Sequence, residues 1–463
     1  MLSIGRIKTP ARHPPGELPG LADRFAAVRD RSRELCAPLS AEDHVVQPMP
    51  DASPAKWHLA HTTWFFEAFV LGGEPFDPAY EFLFNSYYEA VGPRVDRARR
   101  GMLTRPSLDR IHAYRAAIDD RVSCALAHGT LDGDAGARIE LGLHHEQQHQ
   151  ELILTDLKYL LGTQPLLPAY RELTRAAPAA PEPLAWRSID GGIVEIGAPD
   201  AGFAFDNERP RHRVLVAPYR LATRPIANAE VLAFIADGGY RDPRLWLSDG
   251  WQRVLAERWE APLYWTRAER IDSGPQRSTD RNPLAARAPL AGTRRDGDFA
   301  IYELAGVREV DPGETACHLS LYEADAIARW LGARLPTEAE WEHAAAGYPL
   351  DGNFADAGRL HPARAAGASS PRLPGLPGPS DAPLTQLYGD VWEWTASSYS
   401  PYPGFRPLAG ALGEYNGKFM SGQHVLRGGS CLTPADHIRR SYRNFFPPGA
   451  RWQMTGVRLA ADG

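Results

Sequence analysis

The stretch that most limits the fold is residues 134–162, DAGARIELGLHHEQQHQELILTDLKYLLG. It carries no proline, and its apolar residues recur at helical spacing until Gly162. Three upstream runs share that texture. LPGLADRFAAVRDRSRELC has apolar positions at helical spacing. SPAKWHLAHTTWFFEAFVLGG opens with Ser53 as N-cap and Pro54 at the first helical position, and stops at a glycine pair. SLDRIHAYRAAIDDRVSCALAHG runs from a Ser107 cap to Gly129. Four helices with one long connection, residues 73–103, predict a helix bundle over 20–165, a usual setting for a metal site.

Residues 166–184, rich in proline and alanine, read as a linker. After them the texture changes. Residues 185–463 are dense in glycine, proline, tryptophan and asparagine, with short strand-like runs such as GGIVEIGA and RHRVLVAPYRLA. Two helices stand out there, NAEVLAFIADGG and YEADAIARWLGA. An irregular α+β domain with long loops is expected.

Composition narrows the function. Hydrophobic residues make up 43% and charged residues 23%, an ordinary globular balance. A net charge of −6 argues against a nucleic-acid partner. No apolar run approaches the roughly 18 residues of a membrane span. Residues 1–19 are polar and proline-rich, without the apolar core of a signal peptide, and read as a mobile lead-in. Cys36, Cys124, Cys317 and Cys431 are scattered, which argues against a disulfide framework and fits a cytoplasmic protein. The sequence does not fix an oligomeric state.

His145 and His149 stand four apart, so both imidazoles leave one helix face and can grip one ion. With Glu146 they spell H-E-x-x-H, the zinc-protease signature. A metzincin would need glycine at 152 and histidine at 155, where the chain has Leu152 and Thr155. The better third ligand lies on the second helix, where His58 and His61 sit among aromatic residues. Three imidazoles would leave positions open for water, substrate and dioxygen. Iron and zinc both remain open at this point.

Several stretches together resemble one family. SPAKWHLAHTTWFF and HHEQQH are similar to the DinB-type metal-binding bundle. RLPTEAEWEHAA, GDVWEWTASSY, LRGGSC and GVRLA resemble the formylglycine-generating-enzyme fold, a C-type-lectin-like domain. Their fusion resembles the ergothioneine-biosynthesis sulfoxide synthases, and the resemblance runs from about residue 20 to the end. It implies a DinB-like four-helix bundle joined to a C-type-lectin-like α+β domain. It also implies a non-haem iron(II) enzyme that uses O2 to join a thiol sulfur to C2 of the imidazole of hercynine, giving a sulfoxide.

Carried over by position, the implied iron ligands are His61, His145 and His149, with His58 behind them, and Gln148 would hold the substrate imidazole. The segment 85–107 resembles the branch that accepts free cysteine. There Tyr87 and Tyr88 would supply a phenol near the iron, steering the chemistry toward C–S bond formation rather than thiol dioxygenation. Arg97 and Arg100 would hold the thiol's carboxylate. Asn444 would bind hercynine's carboxylate, and Phe445 and Phe446 would face its trimethylammonium group. Phe446 stands where the γ-glutamylcysteine branch carries an acid, which favours a smaller donor. Ser421-Gly422 replaces an expected Cys-Asn pair.

Three alternatives accompany this expectation. The sister selenoneine synthases join a selenosugar to hercynine; the two arginines favour sulfur. A formylglycine-generating enzyme would need a cysteine pair after LRGGS, but positions 433 and 438 are Thr433 and Ile438. A non-catalytic, metal-stabilised binding protein would hold a closed zinc site.

Overall fold

Helix α2 (Ala55–Phe66) explains why the first half is a bundle. Every one of its residues is buried, so it is the central rod and needs neighbours on all sides. The computed structural model describes residues 20–173, 177–267, 299–365 and 383–463. The lead-in 1–19 lies outside the described residues. Around α2 pack α1 (Leu21–Cys36), α4 (Leu108–His128) and α5 (Ala135–Thr163), and a short α3 (Ala79–Phe84) lies within the long connection. Gly142 lets α5 approach α2, since a Cβ there would fall 2.7 Å from the Phe66 ring.

The capping expectations divide. Ser107 caps α4, accepting from the Arg110 N–H at 3.3 Å, and Gly129 closes it in the left-handed conformation. At α2 the expectation is one residue off. Pro54 is the N-cap and Ser53 lies outside the helix, its N–H donated to Asp156 Oδ2 at 2.8 Å. The Ser53 Oγ, which a cap would turn to a backbone N–H, instead accepts from Arg100 Nη1 at 3.0 Å.

Beyond residue 185 the described residues form four small sheets. Strands β1 (Trp186–Ile189), β4 (Tyr219–Ala222) and β12 (Ala460–Asp462) join the two ends of this half antiparallel. The GDVWEWT stretch supplies β8 (Trp392–Ser398), which lies between β9 (His424–Arg427) and β11 (Thr455–Gly456), with β10 (Asn444–Phe446) outside β9. The two expected helices are α6 (Asn228–Ala236) and α8 (Leu321–Trp330). Two more, α7 (Ser248–Glu257) and α9 (Glu338–Ala344), correct that count. The α9 start was legible: Thr337 and Glu340 form a capping box.

The proline- and alanine-rich stretch is not a loose tether in its described part. Leu167 and Tyr170 are buried. The Tyr170 N–H donates to Leu304 O at 2.8 Å and its hydroxyl to Leu35 O at 2.6 Å. Helix α5 supplies a further part of the seam between the halves. Gln147 Nε2 donates to Asp436 at 2.6 Å, and Lys158 Nζ lies 2.7 Å from His318 Nε2. Glu151 accepts from Ser430 Oγ at 2.6 Å, Thr433 Oγ1 at 2.7 Å and Trp392 Nε1 at 2.8 Å.

Candidate metal centre

His61 of α2 and His145 and His149 of α5 converge in the bundle core. One ring nitrogen from each lies within 4.8 Å of the others, and all three residues are buried. Partners on the outer ring edges set the lone pairs. His61 Nδ1 lies 2.6 Å from Phe84 O, so it carries the proton and Nε2 is left as a donor atom. His61 Nε2 faces His145 Nε2 at 3.2 Å. His149 Nδ1 meets His58 Nδ1 at 2.7 Å, and His58 Nε2 meets Asp156 Oδ2 at 3.1 Å. Asp156 accepts, so His58 is protonated on Nε2 and receives the His149 Nδ1 proton. His149 Nε2 is then free to ligate, and a carboxylate–histidine series orients it.

The electrostatics suit a cation. Burial holds His61 and His149 well below the ordinary imidazole value, and holds His145 down at about 3 despite neighbouring Glu146. Three neutral nitrogen donors therefore share the core at neutral pH, with no protein group placed as a counter-ion among them. Trp57 stacks on His61, ring centroids 4.6 Å apart, and the Arg100 guanidinium lies 3.4 Å over Trp57. Both sit at stacking height, so they occupy opposite faces of the indole.

Glu146 is not positioned as a protease base. Its carboxylate is bound by Ser32 Oγ at 2.6 Å, Arg29 Nη1 at 2.8 Å and Arg115 Nη2. Burial raises its pKa, but Arg115 and Arg29 more than offset this and hold it at about 2. It is one member of a buried charge network facing away from the histidines.

The other expected residues fall into distinct places. Tyr88 is fully buried against Trp64 and Phe69, and Tyr87 packs on it at 4.7 Å with the two hydroxyls interacting. Burial pushes both phenols above their ordinary value, Tyr88 furthest. Gln148 bonds to two tyrosines: Nε2 donates to Tyr442 at 2.5 Å and Oε1 accepts from Tyr415. Arg100 is buried and donates to Ser53 Oγ at 3.0 Å and Ser86 Oγ at 2.9 Å, while its Nε has no partner. Arg97 is exposed and donates to Asp51 O.

Phe445 and Phe446 require a correction. They are successive residues of β10, paired with Val425 and His424, so their side chains leave opposite faces. Phe445 stacks on Tyr399 at 4.0 Å, whereas Phe446 lies near Trp452. They cannot both flank one ammonium group. Asn444 is half-buried, and its Oδ1 accepts from the Phe445 N–H at 2.9 Å.

Sequence reasoning missed Tyr415, whose ring lies 5.6 Å from that of His145, and also Tyr442, His437 and Asp156. Asp156 was findable, because it follows His149 by two helical turns on the same face. The other three come from loops far along the chain, with no local signal.

Two family matches divide the chain as the structure does. Residues 24–153 match the DinB superfamily, and residues 175–463 match the sulfatase-modifying factor enzyme 1-like domain. The hercynine oxygenase of Mycolicibacterium thermoresistibile is 34% identical over 89% of this chain and 88% of its own length. That of Mycobacterium tuberculosis is 33% identical over 96% of this chain and 98% of its own. Ergothioneine biosynthesis protein 1 of Neurospora crassa is 22% identical over 77% of this chain and 47% of that protein. Two matched domains in the same order, near-complete coverage and a buried three-histidine cluster lead to one conclusion: the chain belongs to the hercynine oxygenase family.

Proposed function

We propose that His61, His145 and His149 hold iron(II), and that the protein joins a thiol to C2 of the hercynine imidazole with consumption of O2, yielding a sulfoxide on the route to ergothioneine. The observation that carries this reading is the convergence of three buried, neutral imidazoles, two of them fixed from behind by Phe84 O and by His58 with Asp156. Such a donor set suits iron(II) and leaves coordination positions for small ligands. When bound, the metal would supply the O2 chemistry.

The chain's own residues do the rest. Gln148 meets the substrate imidazole beside the His149 turn. Tyr88 holds its proton in a buried pocket beside the Tyr87 hydroxyl, and it is the phenol that would give a proton to a bound ligand. Arg100 is a buried guanidinium whose hydrogen bonds among the described residues go to two neutral hydroxyls, which supports an anionic group on the donor, most simply the carboxylate of cysteine. Exposed Arg97 supports at most the entrance to that position. Phe445 lies on the side of the second domain that faces Phe419, which in turn packs on Tyr87, and supports an aromatic wall for the trimethylammonium group; Asn444 is the group that would take hercynine's carboxylate. The four cysteines are unpaired, three of them buried, which supports a reducing cytoplasm. Among the described residues no helix is long and apolar enough to cross a membrane.

An anaerobic iron(II) titration followed by O2 uptake tests the reading. Uptake should require hercynine, and its absence in the iron-loaded protein would refute the enzyme. His149→Ala should lose the iron; full retention would refute the ligand set. Tyr88→Phe should turn product from sulfoxide toward oxidised thiol. Offering cysteine, γ-glutamylcysteine or a selenosugar with hercynine, and weighing the products, identifies the donor; cysteine is expected.

A further inference from the structure

Gln148 is the near end of a polar chain that crosses the seam between the two halves. Its Nε2 donates to Tyr442 Oη at 2.5 Å, Tyr442 Oη lies 3.0 Å from His437 Nε2, and His437 Nδ1 lies 2.9 Å from His144 Nδ1. On its other side, Gln148 Oε1 accepts from the Tyr415 hydroxyl. All of these side chains but Gln148 are buried, and the chain leaves from α5 and returns to α5 four residues earlier.

A chain of this kind has two self-consistent proton orders, related by flipping the amide. The ends decide between them. Among the described residues the Tyr415 hydroxyl has no acceptor other than Gln148 Oε1. In the flipped order Tyr415 would receive a proton from the amide and leave its own O–H buried and unpaired, which costs about 1–3 kcal/mol. In the observed order every hydroxyl proton is placed. Tyr442 accepts from Gln148, so its O–H goes to His437 Nε2. His437 then carries its proton on Nδ1 and gives it to His144 Nδ1.

We infer that Tyr415, Tyr442 and His437 are positioning residues that together lock the Gln148 amide with its carbonyl oxygen on the Tyr415 side, next to the metal ligands, so that the centre accepts a hydrogen bond from an imidazole N–H. This rests on the reading that hercynine meets Gln148, and it adds the side of the ring that is read: the neutral imidazole binds with a protonated nitrogen toward Gln148. The Tyr415 hydroxyl marks where that oxygen points, and the Tyr415 ring lies 5.6 Å from that of His145.

Two measurements on the full chain test it. The first does not depend on the substrate. In metal-free protein with 15N-labelled histidine, the His437 nitrogens should report a proton on Nδ1 and a bare Nε2; the opposite tautomer overturns the inference. The second compares wild type with Tyr442→Phe. The variant should unfold within about two degrees of wild type and keep kcat within about twofold. Its hercynine KM should rise about tenfold, the effect of one lost hydrogen bond of about 1.4 kcal/mol. An unchanged KM, or a fall in kcat alone, overturns it. If wild type itself does not bind hercynine, the functional reading fails, and the His437 tautomer alone then decides the relay.

Discussion

Glu146 and Glu151 lie on the same helix and are stabilised in opposite ways. Glu146 points into the bundle and is gripped by Arg29 and Arg115. Glu151 points across the seam and meets only neutral donors, two hydroxyls and an indole N–H. The first carboxyl is held at about 2; the second is pushed up, desolvation outweighing its hydrogen bonds. The bundle carries the charge of Glu146 in an ion network, whereas at Glu151 the seam between the halves is closed by hydrogen bonds that a neutral side chain could make. The difference separates what makes the bundle rigid from what joins it to the second domain.

Replacing Glu146 breaks the comparison most severely. Glu146→Gln leaves buried Arg115 without its paired anion and Arg29 with Asp119 alone, and a loss of about 3–5 kcal/mol is expected in chemical denaturation. A loss below about 1 kcal/mol would show that the network does not stabilise the bundle. Glu151→Ala should cost less, about 1–3 kcal/mol, because it strands Trp392 Nε1 and two hydroxyls. Glu151→Gln should change stability by about 1 kcal/mol or less, because the amide oxygen can keep Trp392 and Ser430 while its NH2 donates to Thr433.

The pH profiles sharpen the contrast, because the two shifts have opposite signs. A depressed pKa contributes stability above the unfolded value that is lost as pH falls. The gap between wild type and Glu146→Gln should therefore be full at neutral pH and narrow from about pH 4.5 toward 2. A raised pKa contributes stability below the unfolded value that is lost as pH rises. Relative to Glu151→Gln, wild type should therefore be better off in acid than at neutral pH. Parallel profiles for the two pairs would remove the distinction.

The bundle was largely legible because its signals are local. Proline-free periodic runs, Ser107 and Gly129 mark helices, and two histidines at a spacing of four mark a metal-binding face. Ser53 misled because the partner of its hydroxyl, Arg100, is 47 residues away in sequence. The second half was less legible, because short strands and loops take their places from long-range pairing. Phe445 and Phe446 read as one aromatic pair until β10 set them on opposite faces. The partners of Gln148 were invisible because Tyr415, Tyr442 and His437 reach it only through tertiary folding.

One carbonyl ties the tyrosine loop to the metal ligands. Phe84 O, at the last turn of α3, accepts from His61, and the next residue, Asn85, staples the loop by bonding to Tyr88 and Gly92. The loop and a ligand imidazole therefore share a hinge pin. Anyone transplanting residues 85–92 from another donor-specificity class must keep that carbonyl in register. Otherwise the graft would alter His61, and a change meant for the substrate would surface as a change in metal affinity.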